Sequence, residues 1–354
     1  MIVIVQQAYP NYRHAFFMKL SEFYQDNFNL YYSVDQSLIS QLTPIANSVN
    51  VGSITKLLGK FKWQSNILSI KLSKHDIVVV SGDYHYLSNL LLLIKCKLLS
   101  VKVIVWTQFY SSSSNSLLAK YRMKLSSLAN GILFYYHEEA IKFRGNKSCS
   151  LFYLNNSIDS TEITCLREKY IPSQRKNRIV YIGRLTHKSN ILLLIRSISL
   201  MPTLCLDIIG AGPLLEEAKT LTLDLDLSDR ISFLGEISDE KSISSVMNNA
   251  LFFVYPGSVG LSLLHAMAYG LPVVIHDNEK SHMPEYFVFK NSMNGLVFKY
   301  NDIHSLANVC TQLSRDFPSL SKFSQNNIDL VTQKYNVDSM AQNFISCVNT
   351  VVND

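Results

Sequence analysis

The chain lacks the pairings that would make its cysteines a disulfide framework or a zinc site. Cys96, Cys149, Cys165, Cys205, Cys310 and Cys347 are scattered through 354 residues, and no two form a C-x-x-C pair. They read as reduced, mostly buried thiols of a cytoplasmic protein. A membrane span needs about 20 nearly uncharged residues. The most apolar stretch, residues 87–106, is interrupted by Lys95, Lys97 and Lys102, so it reads as a helix followed by a strand. The N-terminal MIVIVQQAYP is apolar for only five residues, which suits a first core strand better than a secretory leader. There is no internal repeat, and no Arg/Lys-rich helix or aromatic–basic module for nucleic acid. Two histidines near Asp277 and Glu285, His276 and His282, lack the compact H-x-x-x-H or H-E-x-x-H spacing of a metal site, and none is assigned.

What is present is an apolar, unevenly charged α/β chain. Hydrophobic residues make up 47%, enough for a sizeable core, and the length suggests two domains. Of the 33 basic and 27 acidic residues, 1–165 hold 16 and 9 (+7), leaving 17 and 18 (−1) for the rest. A basic first half beside a neutral second half points to an anionic partner, such as an anionic membrane surface or a phosphate-bearing acceptor.

Short β-branched runs alternate with segments of helical period. Strands are expected at 2–5, 77–80, 101–106, 131–135 and 150–153, with helices at 14–24, 87–99, 117–129 and 138–143 between them. The polar, proline-containing YIPSQRKNR at 170–178 reads as a hinge. A second alternation follows, with strands at 179–182, 203–209, 231–234, 250–254, 272–275 and 295–298. The expected domains are 1–170, 171–336 and a C-terminal helix, 337–354, packing back toward the first. Two tandem α/β domains imply a cleft outside the strand carboxyl ends, where ligands bind in such sheets.

The chemistry-bearing residues fall at those strand ends. Gly183-Arg184-Leu185 follows one strand, with Lys188 close behind; arginine's planar fork and lysine's point charge together neutralise a diphosphate. Gly210-Ala211-Gly212 follows the next strand without the third glycine of a dinucleotide fingerprint. Gly257, Ser258, Val259 and Gly260 precede a helix start, whose amides and dipole favour an anionic group. His265 sits on that helix. In the first half, Asp83 and His85 follow a strand and are placed to orient an acceptor hydroxyl or take its proton. Tyr12, Arg13, Trp106, Gln108 and His137 cluster at the same sheet edge, and a four-serine run at 111–114 marks a loop beside them.

Taken together, these positions resemble the GT-B glycosyltransferases of the large retaining family 4 group. The likeness is sharpest from Tyr181 to Phe298, where GRL with Lys188, the Gly210–Gly212 turn, FLGEI at 233–237, and GL at 260–261 through GLPVV at 270–274 occur in the family's order. The resemblance implies two Rossmann-like α/β domains and transfer of a sugar from a UDP- or GDP-linked nucleoside diphosphate donor to a glycan or lipid-linked acceptor, with retention and without a metal. It implies diphosphate binding by Arg184 and Lys188, and nucleobase contacts near Gly235 and Ile237. It also implies phosphate or sugar binding by Gly257, Ser258, Val259 and Gly260. The family's paired glutamates fall on Gly257 and His265, so His265 is expected near the ribose, with Glu285 or Asp277 supplying a carboxylate. Work at the inner face of a membrane is implied as well. A non-catalytic nucleotide-sugar-binding subunit and a nucleotide-sugar epimerase are the alternatives.

Overall fold

The computed structural model describes residues 1–34, 44–83, 85–108, 126, 128–143 and 149–353. The helix expected over 117–129 and the serine run at 111–114 lie largely outside them. The described chain forms two compact units: Met1–Asp159 together with Asn336–Asp354, and Ser160–Tyr335.

In the first unit, β1 (Ile2–Gln6) and α1 (His14–Tyr24) are followed by β2 (Phe28–Val34), β3 (Ser48–Lys56), β4 (Lys62–Gln64) and β5 (Ile77–Ser81). Then come α2 (Leu87–Leu98), β6 (Lys102–Trp106), β7 (Gly131–Phe134), α3 (His137–Lys142) and β8 (Ser150–Tyr153). The eight strands form one sheet in the order β4-β3-β2-β1-β5-β6-β7-β8, parallel throughout except for β3–β4. Central strands such as IVIVQ and IVVVS are apolar without alternation because helices cover both faces. Phe16, Phe17 and Leu20 of α1 fill one side, and Leu92, Leu93 and Cys96 of α2 the other. The sequence pattern does not announce β2, β3 and β4. Most of β3, next to the short edge strand β4, is exposed and lacks an apolar alternation to mark it.

The second unit runs α4 (Thr161–Leu166), β9 (Arg178–Ile182), α5 (Ile191–Ile198), β10 (Cys205–Ile209), α6 (Leu215–Asp224), β11 (Ile231–Gly235), α7 (Glu240–Met247) and β12 (Phe252–Tyr255). It continues through α8 (Ser262–Ala268), β13 (Val273–His276), β14 (Gly295–Phe298), α9 (Ile303–Arg315) and α10 (Phe317–Gln333). Its six strands are all parallel, in the order β11-β10-β9-β12-β13-β14. Strand order reverses between β9 and β12, the position at whose carboxyl ends open α/β sheets bind their ligands.

The stretch 170–178, expected as a hinge, is packed within this unit. Tyr170 donates to the Leu251 carbonyl at 2.5 Å, and the Arg175 guanidinium donates to the Met247 and Ala250 carbonyls. Proline and basic residues marked it as polar. The Tyr170 and Arg175 side chains instead cap carbonyls at the end of α7 and just before β12.

The last helix, α11 (Val337–Asn353), belongs to the first unit. Met340, Phe344, Cys347, Val348 and Val351 are buried in its core, and Lys19 pairs with Asp338 at 2.6 Å. The Lys102 ammonium donates to the Val351 and Val352 carbonyls at 2.9 and 3.0 Å, which places a cation at the negative end of the helix.

Candidate functional site

In the second unit the loops after β9, β10, β11 and β12 are bonded to one another through their backbones. Gly183 donates to Ile209 O at 3.0 Å, Gly210 to Gly235 O at 2.7 Å, and Leu185 to Ala211 O at 2.9 Å. Such contact requires glycine. A Cβ on Gly210, whose φ is 142°, would stand 2.0 Å from the Gly183 carbonyl oxygen. Gly183, Gly210, Gly212 and Gly235 are therefore brought together, with Ile237 half-buried just beyond.

The turn after β12 is clamped to the loop after β9. A Cβ on Gly257 would fall 2.1 Å from Lys188 O, and the Ser258 amide donates to that same oxygen at 2.8 Å. Lys188 lies in a short turn closed by Thr186 and Ser189, whose hydroxyl accepts from the Thr186 amide at 3.1 Å. Arg184 and Lys188 are both exposed, and among the described residues neither makes an ion pair or a side-chain hydrogen bond. Two unpaired cations thus stand beside a rigid backbone turn at the strand reversal. An incoming dianion displaces no partner there.

The expected phosphate cradle of amides needs correction. Ser258 N–H is committed to Lys188 O, and Val259 N–H donates to His282 Nδ1 at 3.3 Å. Met283 N donates to Val259 O at 3.1 Å. In this turn, among the described residues, the Gly260 amide has no protein acceptor, and the buried Ser258 hydroxyl has no hydrogen-bond partner. Gly260 is not sterically compelled: a Cβ there would make ordinary contacts with Met283 and with Glu285 Oε2 at 3.8 Å. The buried Glu285 carboxylate therefore does lie beside this turn. Asp277 is exposed, and one of its carboxylate oxygens accepts the Tyr300 amide at 2.9 Å.

Behind the turn, His276 and His282 stack at 3.8 Å between ring centroids, and His282 stacks on Tyr286 at 4.7 Å. All four ring nitrogens are engaged. His282 Nε2 donates to the His276 carbonyl at 3.0 Å, while His276 Nδ1 accepts from the Asn278 amide and its Nε2 meets Ser281. Burial, reinforced by the neighbouring ring, lowers the pKa of His276 to about 3; burial lowers that of His282 to about 4. These are neutral spacers that hold Val259, and their lone pairs are spent inside the protein.

His265 points to another helix. Its Nε2 is 2.8 Å from Glu240 Oε1 at the start of α7, and the Tyr269 hydroxyl donates to the same oxygen at 2.6 Å. Burial acts to raise the Glu240 pKa, but the hydrogen bonds and charge from His265 and Tyr269 prevail and hold it low. Sequence reading missed Glu240. Its only local signal is an acid at a helix start after the Asp239 cap, and nothing local links it to α8.

In the first unit, His85 Nδ1 lies 2.8 Å from Asp83 Oδ1, which also accepts the His85 amide at 3.1 Å, so these two residues form a half-exposed dyad at the end of β5. The preceding Ser81 hydroxyl accepts from Gln7 and from the Asp83 amide, tying the dyad's loop to β1.

Arg13 and Trp106 overturn the expected open stacking surface. Arg13 is only 5% exposed; its guanidinium lies 4.3 Å from the Trp106 ring centroid and donates to Tyr135 OH at 3.3 Å. Trp106 is buried beneath it. The ring faces attract the guanidinium, and the pair lies within the core instead of presenting a platform. Tyr12 is exposed, Gln108 is half-buried, and His137 packs edge-on against Tyr153 at 5.0 Å.

Residues 163–329 match the family model described as glycosyl transferases group 1. The amylovoran biosynthesis glycosyltransferase AmsK of Erwinia amylovora is 28% identical over 151 residues, which cover 39% of this chain and 36% of that protein. The UDP-Gal:alpha-D-GlcNAc-diphosphoundecaprenol alpha-1,3-galactosyltransferase of Escherichia coli is 25% identical over 183 residues, 49% and 45% of the two chains. The chain spans less than half the length of the curated relatives it matches. Among solved structures, HepE from Anabaena in complex with UDP superposes over 99% of both chains, with a TM-score of 0.71 at 14% identity.

Proposed function

From the GT-B fold and the match of residues 163–329 to the group 1 glycosyl transferases, we propose that the chain transfers a sugar from a nucleoside diphosphate donor, UDP- or GDP-linked, to a glycan or lipid-linked acceptor. The product belongs to a surface polysaccharide or related glycan. The observation that carries this reading is the pair of unpaired cations, Arg184 and Lys188, held at the strand reversal by the Lys188–Gly257–Ser258 clamp.

The difficult event is departure of the diphosphate while positive character grows at the anomeric carbon. Arg184 and Lys188 meet the developing negative charge, each contributing on the order of 3 kcal/mol to the transition state. No step passes through a metal. In the retaining course, the acceptor hydroxyl attacks from the face the diphosphate leaves, the new C–O bond forming as the old one breaks. Its proton passes to the departing phosphate oxygen, so no protein nucleophile is required. In the first unit, Asp83 holds His85, and this pair is our proposed contact for the acceptor. We assign the ribose hydroxyls to the His265–Glu240 pair: a carboxylate from α7 takes the place of one on α8. The reaction is placed at the cytoplasmic face of a membrane, which attracts the basic first part of the chain.

A donor panel of UDP-, GDP-, CDP- and ADP-linked sugars, titrated calorimetrically, tests this. Binding of one donor, lost in Arg184→Ala and Lys188→Ala, supports the assignment; no binding by folded protein overturns it. A second reading, a non-catalytic nucleotide-sugar-binding subunit, is favoured by Gly257. The Lys188 carbonyl blocks any side chain there, so this position cannot offer a carboxylate to the sugar. That reading requires donor binding without turnover against any acceptor.

A further inference from the structure

We propose that the outer face of α2, with the neighbouring turn at residues 57–61, is the surface by which the first unit docks on an anionic lipid bilayer. This rests on the reading that the chain works at a membrane face, and it names the side chains that touch the lipid.

The polarity of α2 is unusual for a helix that covers a sheet. Leu87, Leu91, Ile94 and Leu98 stand at i, i+4, i+7 and i+11, a single line along the helix. Leu91 is 41% exposed, Ile94 45% and Leu98 82%. The inward side meanwhile carries polar groups with defined tasks. The Ser88 hydroxyl accepts the Gln64 amide at 3.0 Å, and the Asn89 amide donates to Ser81 O at 3.3 Å. The core therefore uses Leu92, Leu93 and Cys96 and leaves the other apolar line to solvent. A contiguous exposed apolar stripe marks an interaction surface.

The β3–β4 turn adds a second apolar projection. Leu58 is 92% exposed, with Leu57 and Phe61 beside it. Its second strand joins the segment leading into α2, since Lys62 N donates to His85 O at 2.7 Å. Charge chooses the occupant. Residues 44–100 hold seven lysines, two aspartates and no glutamate. Asp76 is engaged by the N-terminal amine at 3.3 Å, whereas Lys56, Lys60, Lys71, Lys74 and Lys97 are exposed. Leucines among exposed lysines suit an interfacial helix on anionic lipid. They suit a protein partner poorly, because interface cores are depleted in lysine, and a second copy would set lysine against lysine.

The test is co-sedimentation of the full chain with vesicles of phosphatidylcholine alone or mixed with phosphatidylglycerol. The chain is expected to pellet with the mixed vesicles and to be released by salt. Leu58→Ser with Leu98→Ser should lower partition by at least about tenfold with an unchanged melting temperature, since both side chains already face water. Lys60→Gln with Lys97→Gln should lower it by about tenfold on mixed vesicles only. No vesicle binding by the unaltered chain would overturn both the membrane reading and this surface. Full binding retained by the leucine variant would overturn the surface and leave the membrane reading standing. A change from dimer to monomer on ultracentrifugation, with vesicle binding unchanged, would assign the stripe to self-association instead.

Discussion

The two units share one layout, parallel strands alternating with helices, yet they finish their strand ends in opposite ways. In the second unit the loops interlock through glycine and backbone, so Arg184 and Lys188 need no partners to hold the structure and stay in solvent. In the first unit side chains do the holding. Arg13 lies over Trp106 and donates to Tyr135, and Asp83 binds His85. A cation is available to a ligand where the backbone has taken over the structural work; where it has not, the cation becomes core.

Substitution of the cations separates the two regions most sharply. Arg184→Ala or Lys188→Ala should lower kcat/KM by on the order of 100-fold or more while leaving the melting temperature almost unchanged. Arg13→Ala should do the reverse, costing about 3 kcal/mol of stability in a urea melt through lost packing and lost ring contacts. Equal effects of the two kinds of substitution on stability would break the comparison.

Gly257→Ala tests the interlock itself. The new Cβ has no room beside Lys188 O, so the loops must part, at a cost of about 2–3 kcal/mol, and donor affinity should fall with them. Gly260→Ala meets only ordinary contacts and serves as the matched control.

Acid probes the layer behind the turn. His276 and His282 are buried and neutral, with pKa values lowered to about 3 and about 4, whereas the unfolded chain takes up protons near pH 6.5. The unfolded state therefore binds more protons as pH falls from about 6.5 toward 4, and stability drops by up to about 1.4 kcal/mol per pH unit for each ring. Urea midpoints measured across that window check it, and His282→Gln should flatten the slope. Glu240 adds a separate loss at lower pH. Its pKa is held below the usual carboxylate value, so its contribution is full above that value and disappears as pH falls through the lowered one.

The smallest effect belongs to the helix pair. His265→Ala should cost about 1 kcal/mol of stability by freeing Glu240 and should weaken donor binding severalfold. Unchanged affinity would remove His265 from the ribose assignment and leave it as a tie between α7 and α8.

Much of this was legible from local order. Runs rich in apolar residues, closed by Gly183, Gly210 and Pro256-Gly257, marked β9, β10 and β12, and the spacing from Gly183 to Lys188 put both cations on one loop. β3 was hidden because a largely exposed strand need not alternate. α10 was hidden by its serines and asparagines, which are weak helix formers. Asn327 nonetheless reaches the Leu271 and Asn294 carbonyls from inside it.

The amino-acid sequence alone determined where chain direction changes and which residue types stand at each strand end, because turns and periodicity act over a few neighbours. Tertiary structure alone decided which of those groups were free. Val259's amide was taken by a histidine 23 residues away, His265 by a glutamate 25 residues before it, and Arg13 by rings from two other strand ends. A polar group's availability is set by whatever packing brings within about 3 Å of it, and that distance is fixed only when the sheet has formed.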